Sequence, residues 1–374
     1  MYNFVNIKIK CGKNFTVCKK KVKLCMKFDE NEELSKSSPI RKHKVSKRKL
    51  VRETGELPDN SELGIVVAQI GNTVIVESDL DKKAEYIDCK VSGKIITPHS
   101  QSNLVAVGDK IQFLRSNSIA EDSGLVTGRI VAVEQRETYF SRKAAGRVNR
   151  EHVIAANCDK LLILSSLADP IYNRRFIDRV LLAAEFGDIQ PAICVNKTDL
   201  FDDITAFEED FEAYPKMGIE VFFVSAKNQD GLNEIIKFVE DSTTLLFGPS
   251  GVGKSTLLND LVGQEVQEVA EISERTGKGQ HTTSAVRMFK LSDTTRLIDS
   301  PGVREFALWN VNRDELPLYF RDFVKFMHDC KFTPCTHMHE PGCAVLSAVD
   351  RGDIDAERYQ SYINLVESTD EISF

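Results

Sequence analysis

A chain of 374 residues, 42% hydrophobic and 28% charged, has room for two or three globular domains and is too long for one small one. No apolar run approaches the ~18 residues that cross a bilayer, and the N-terminus lacks a secretory signal, so a cytoplasmic protein without membrane contact is expected. Nine cysteines, an odd number in that setting, speak for reduced thiols or metal ligands over a disulfide framework.

The net charge of −7 conceals an asymmetry: residues 1–52 hold 16 Lys+Arg against 4 Asp+Glu, and the rest of the chain is acidic. Residues 1–60 carry lysine clusters such as Lys19-Lys20-Lys21 and show no sustained periodicity, which predicts an arm disordered until bound. Lys and Arg displace counterions from a phosphate backbone, so this arm suits RNA, with a solvated tail as the bland alternative. From residue 61 to 145 short β-branched runs alternate with turn residues: Ile65-Val66-Val67, Val74-Ile75-Val76, Tyr86-Ile87, Ile111-Gln112-Phe113 and Arg129 to Val133. Five such strands predict a small barrel. An OB-type barrel fits an RNA partner; a spacer barrel without a ligand is the alternative.

Residues 150–312 read as an α/β domain. Leu161 to Leu164, Ala192 to Val195, Val221 to Val224 and Thr244 to Phe247 are short, fully apolar runs spaced by amphipathic stretches, as in a parallel sheet covered on both faces. The second run ends in Asn196-Lys197-Thr198-Asp199, an NKxD pattern at a strand end where ligands gather in open sheets. The Asp199 carboxylate can accept from both the ring N–H and the exocyclic amine of guanine, whereas adenine would leave it unpaired. Ser225-Ala226-Lys227, after the third run, would set backbone N–H groups beside the base oxygen.

After the fourth run, Gly248-Pro249-Ser250-Gly251-Val252-Gly253-Lys254-Ser255 matches GxxxxGK[ST], and Thr256 opens a helical pattern. The glycines let backbone N–H groups close around phosphates, Lys254 neutralises β- and γ-oxygens, and the Ser255 hydroxyl ligates Mg²⁺. A polar segment, residues 277–284, suits a switch ordered by a γ-phosphate, with Thr283 as the Mg²⁺ ligand and Thr282 as alternate. Asp299-Ser300-Pro301-Gly302 then offers a second carboxylate for Mg²⁺ and the Gly302 N–H for the γ-phosphate. Where many GTPases carry a water-orienting Gln, this chain has Val303, which cannot hold water. Beyond Asn312 a helical, polar tail (313–374) contains Cys330, Cys335, His337, His339 and Cys343; three thiolates and one imidazole suit a closed, tetrahedral, structural zinc site.

The motif order is base, base, phosphate, switch, switch, whereas ordinary small GTPases begin with the phosphate loop. This order, the His281-Thr282-Thr283 switch, and the flanking barrel and Cys/His cluster resemble the RsgA (YjeQ/EngC) family of circularly permuted small-ribosomal-subunit biogenesis GTPases, from about Leu63 to Glu367. The resemblance implies a permuted GTPase core with an N-terminal OB-fold and a C-terminal zinc domain. It implies one zinc on Cys330, Cys335, His337 and Cys343, with His337 preferred over His339. It also implies a low intrinsic rate raised by the small ribosomal subunit, with His281 positioning water beside Lys254 and Thr283.

The expected activity is therefore hydrolysis of GTP to GDP by a monomer that contacts rRNA late in subunit maturation. A GTP-regulated RNA-binding module with negligible hydrolysis is the second reading, motivated by Val303. A P-loop ATPase or kinase is the third, and Asn196 with Asp199 opposes it.

Overall fold

The alternation expected between Leu63 and Arg142 closes on itself. The computed structural model describes residues 57–70, 73–78, 85–97, 102–144, 150–262, 285–303, 306–309 and 311–370. Nearly all of the basic arm, and the segment 277–284 with His281, Thr282 and Thr283, lie outside the described residues. Strands β1 (Glu62–Ile70), β2 (Thr73–Ser78), β3 (Glu85–Ile96), β4 (Lys110–Ile119) and β5 (Val126–Val133) contain the five β-branched runs. They pair in the order β1-β2-β3-β5-β4, and β4 returns to β1, so the sheet becomes a five-stranded barrel. Val66, Ile75, Ile87, Cys89, Ile111, Phe113 and Ile130 fill its interior. Closure pairs the edges that an open sheet would present to other chains.

A hairpin, β6 (Tyr139–Lys143) and β7 (Glu151–Ala156), leads to a second sheet. Its strands are β8 (Lys160–Ser166), β9 (Gln190–Asn196), β10 (Glu220–Phe223), β11 (Thr243–Phe247), β12 (Val286–Lys290) and β13 (Arg296–Asp299), in the spatial order β10-β9-β8-β11-β13-β12. All pairings are parallel except β12–β13. The continuous apolar runs have the reason expected of them. Leu161 and Ile163 of β8 enter one core with α1 (Arg174–Phe186), while Leu162 and Leu164 enter another with α4 (Leu232–Val239) and α5 (Lys254–Val262). Two shorter helices, α2 (Thr205–Phe211) and α3 (Ala213–Lys216), precede α4.

Strand β1 of the barrel also pairs with β12 through Ala68 with Arg287 and Gln69 with Val286, which makes one eleven-stranded sheet of barrel and core. Arg296 of β13 reinforces this seam with a two-pronged pair to Glu77 of β2, at 2.7 and 2.8 Å.

The C-terminal segment consists of short helices, α6 (Arg321–Val324), α7 (Ala344–Asp350) and α8 (Ala356–Asp370), and 3-10 turns around Phe320, Phe323 and Tyr362. Its apolar core reaches back into helix α1 of the parallel sheet, because Leu182 belongs to it. Polar contacts follow the same seam. Arg358 of α8, 2% exposed, bonds Asp178 of α1 at 2.6 Å, lies over the Phe320 ring and has Asp322 at 3.6 Å. No described helix is long and apolar enough to cross a membrane.

Candidate nucleotide site and metal centre

Each nucleotide motif stands where an apolar strand leaves the sheet. The residues of β9 from Ala192 to Val195 are buried, and Asn196 is the polar residue that ends the strand. The chain turns there: Lys197 adopts a left-handed conformation (φ 68°) and residues Thr198–Leu200 form a single 3-10 turn carrying Asp199. From the end of β10, the Ser225 hydroxyl donates to Asp199 Oδ1 at 2.7 Å, and Lys227 Nζ stands 3.6 Å from Oδ2. The Ser225 hydrogen bond first, then a backbone hydrogen bond to the carboxylate and the Lys227 charge, hold the Asp199 carboxyl below the usual aspartate range. It is an ionised, acceptor-only group.

The phosphate-loop sequence leaves β11 between β8 and β13 and opens helix α5 at Lys254. Gly251 and Gly253 have φ of +88° and +91°, a region that costs an L side chain energy. At Gly253 space is limiting too: a Cβ there would lie 2.2 Å from Asn196 Nδ2. That proximity matters because Asn196 joins all three motifs. Its Nδ2 donates to Val252 O at 2.9 Å, and its Oδ1 accepts from Ala226 N at 3.0 Å. Asn196 is 3% exposed, so both bonds are shielded from competing water.

Strand β13 ends on Asp299, whose Oδ1 lies 2.7 Å from Lys254 Nζ. Ser300 anchors the turn by donating to Leu246 O at 2.8 Å. Gly302 lies against the phosphate loop, where a Cβ would come within 2.8 Å of Ser250 Cα, and Val303 N donates to Gly248 O at 3.3 Å. Val303 packs against the apolar core. Ser255 and Thr256 are exposed at the start of α5. Asp299 and the Ser255 hydroxyl are hard oxygen donors of the kind Mg²⁺ takes. Of the expected site residues, His281, Thr283 and the alternate Thr282 fall outside the described residues.

Cys330, Cys335, His337 and Cys343 converge, with their ligand atoms all within 4.8 Å of one another. Cys330 Sγ and Cys343 Sγ are 3.8 Å apart, and His337 Nδ1 is 3.5 and 3.4 Å from them. A tetrahedron with metal–sulfur bonds of about 2.3 Å has sulfur–sulfur edges of about 3.8 Å, so the spacing fits a metal ion. His339 is exposed and outside the group. Backbone N–H groups of Ala344 and Leu346 point at the Cys330 and Cys343 sulfurs, the second-layer support a thiolate site needs. The loop between ligands is wrapped around Glu340, which accepts from the Thr336 hydroxyl and N–H and from the N–H groups of Met338 and His339. Burial opposes its charge, but these donors prevail and hold its carboxyl near pH 2, at about 2.

One part of the site has no motif. Ser166, the last residue of β8, and the turn after it touch both the base and phosphate elements. The available signal was a buried polar residue closing an apolar strand directly beside Asn196 in the sheet.

The strand order, with the NKxD and Ser225-Ala226-Lys227 strand ends preceding the phosphate-loop sequence and a closed barrel ahead of both, defines a circularly permuted P-loop GTPase, a GTP hydrolase. A family model described as RsgA GTPase matches residues 133–309. The small ribosomal subunit biogenesis GTPase RsgA of Chlorobaculum parvum is 42% identical over 312 residues, covering 82% of this chain and 98% of that protein. That of Phocaeicola vulgatus is 34% identical over 311 residues, covering 82% and 97%. Among solved structures, YjeQ from Thermotoga maritima aligns with a TM-score of 0.61 at 26% identity, covering 82% of this chain and 98% of that one. YloQ, a circularly permuted GTPase, aligns at 0.61 and 25% identity, covering 86% and 99%. The chain belongs to the RsgA GTPase family.

Proposed function

We propose that this GTPase acts on the small ribosomal subunit in the cytoplasm, binding its rRNA and hydrolysing GTP to time a late maturation step or its own release. The observation that carries the nucleotide part is the Asn196 side chain, bonded at once to the phosphate loop and the Ser225-Ala226-Lys227 turn. One buried amide thereby fixes the distance between the group that selects the purine and the loop that holds its phosphates. Asp199, kept ionised by Ser225 and Lys227, accepts the two guanine donors, and Ala226 and Lys227 flank the base oxygen. The backbone from Gly248 to Gly253 and the Thr256 end of α5 receive the phosphates, with Lys254 neutralising the charge that builds on the β- and γ-oxygens.

Mg²⁺ bound by Ser255, Asp299 and Thr283 would supply charge neutralisation of the transferring phosphoryl group. Gly302, pressed against Ser250, offers its N–H toward the γ-phosphate. Val303, an apolar side chain packed against the core, cannot hold the attacking water, which supports a slow intrinsic rate. His281 positions the attacking water in the complex with the subunit. The four-ligand cluster would hold one zinc with no open position, a structural role. The ribosomal part rests on the relatives' names and on the barrel and basic arm, both suited to RNA.

The test is steady-state GTP turnover with purified small and large ribosomal subunits over a salt titration. Stimulation by the small subunit, fading with salt as phosphate contacts are lost, is expected, and His281→Ala should lose the stimulation while retaining GTP binding. Equal turnover with and without the small subunit would discard the ribosomal assignment.

A further inference from the structure

We infer that Ser166 is a positioning residue of the nucleotide site: its hydroxyl hooks the turn that anchors the Lys197 ammonium, and so fixes the Lys197 side chain as a wall of the purine pocket. The inference rests on the nucleotide reading proposed above.

Ser166 closes β8, is 0% exposed, and pairs with Asn196 across the sheet. Nothing in the ladder needs its hydroxyl, which donates instead to Pro170 O at 2.6 Å. The turn it ties down begins with Leu167 N bonded to Asn196 O at 3.1 Å. Inside that turn, two carbonyls converge on one cation: Lys197 Nζ donates to Ala168 O at 3.1 Å and also to Asp169 O. Ala168 to Ile171 are otherwise partly or fully exposed, so the buried Ser166 is the peg of an exposed turn. The same turn rests on the phosphate loop, since a Cβ at Gly251 would meet Pro170 Cδ at 3.3 Å and Asp169 O at 3.6 Å.

Lys197 is thereby fixed at both ends. Its backbone is held in a left-handed conformation beside Asn196, and its ammonium is held by the two carbonyls. A methylene stem stretched between fixed points is an apolar strip of limited freedom, the kind of surface a purine face takes. Without the Ser166 hook the carbonyls move independently of β8, the ammonium regains its rotamers, and ordering the stem falls to the nucleotide.

The experiment follows release of fluorescently labelled GDP from the full-length chain into excess unlabelled GDP. Ser166→Ala should release it about fivefold faster, the loss of one hydrogen bond of ordinary net strength, with KM for GTP raised in proportion and kcat unchanged. Ser166→Cys keeps the volume without the strong donor and should behave like Ser166→Ala, which separates hooking from packing. In a Lys197→Ala background the serine substitution should add nothing, because both act through one contact. A cysteine variant indistinguishable from wild type, or equal effects of Ser166→Ala in both backgrounds, overturns the inference. Failure of the wild-type chain to bind labelled GDP would instead strike the nucleotide reading itself.

Discussion

The nucleotide site and the C-terminal segment solve the same problem, holding irregular chain in place, by opposite means. At the nucleotide site the loops are short extensions of buried parallel strands, and single hydrogen bonds such as Asn196 to Val252 register them. Among its described residues the C-terminal segment has no strand. Short helices gather around a few aromatic rings, a cluster of four metal-ligating side chains, and a guanidinium shared by two carboxylates. Loops on a large rigid sheet need only direction, whereas a segment of some sixty residues with a small core needs staples.

Stripping the zinc proposed for the Cys/His cluster is the sharpest way to break this comparison. Chelation, or Cys343→Ser, should remove stabilisation on the order of 10 kcal/mol from the C-terminal segment, read as loss of hydrogen-exchange protection across residues 311–370. Labelled GDP should still bind, and equal loss of both regions would show that the sheet does not stand by itself.

The shared guanidinium gives the next largest effect. Asp178→Ala leaves the buried Arg358 with the looser Asp322 as its carboxylate partner and should cost about 3–5 kcal/mol in a denaturant titration. Asn196→Ala, which leaves Val252 O and Ala226 N without their partner, should cost roughly 1–3 kcal/mol, read mainly as weakened GDP affinity by calorimetry. A purely global destabilisation would deny Asn196 its registering role.

The smallest effect concerns pH. Burial raises the Asp322 carboxyl above its ordinary value, although Arg358 opposes the rise. The folded state then binds the proton more tightly than the unfolded chain, so this group's contribution is full below the ordinary aspartate range, near pH 4, and is lost as pH rises through the folded value. Asp322→Asn should therefore gain on the wild type as pH rises above the ordinary aspartate range, measured as the difference in melting temperature. No trend, or a trend of opposite sign, would show that Asp322 is held as a carboxylate by Arg358.

Much of this was legible in the residues because the relevant signals are local. A fully apolar run followed by Asn196, Ser225 or Gly248 marks a buried strand and its carboxyl end, and the five β-branched runs fall inside the five barrel strands. The Cys/His spacing of the tail marked its metal cluster. Contacts between distant segments left no such trace. Leu182 reads as one more apolar residue of α1, yet it sits in the C-terminal core with Phe320 and Phe323. Asp178 looks like the polar face of an amphipathic helix until Arg358 arrives from 180 residues away. The seam of β1 with β12 was equally silent, because an edge strand carries no mark of its partner. The helical, polar character expected of the tail describes its surface and misses its ring cluster.

The position of β11 has a consequence for synthesis. Ribosomes make β8, β9 and β10 before β11, yet β11 lies beside β8 near the middle of the finished sheet. A nascent chain that stops short of residue 243 therefore presents β8 as a bare hydrophobic margin, and Asn196 lacks the Val252 carbonyl it is to meet. In an unpermuted relative that central strand would emerge first; here it is the keystone, dropped in after the stones on one flank have been laid.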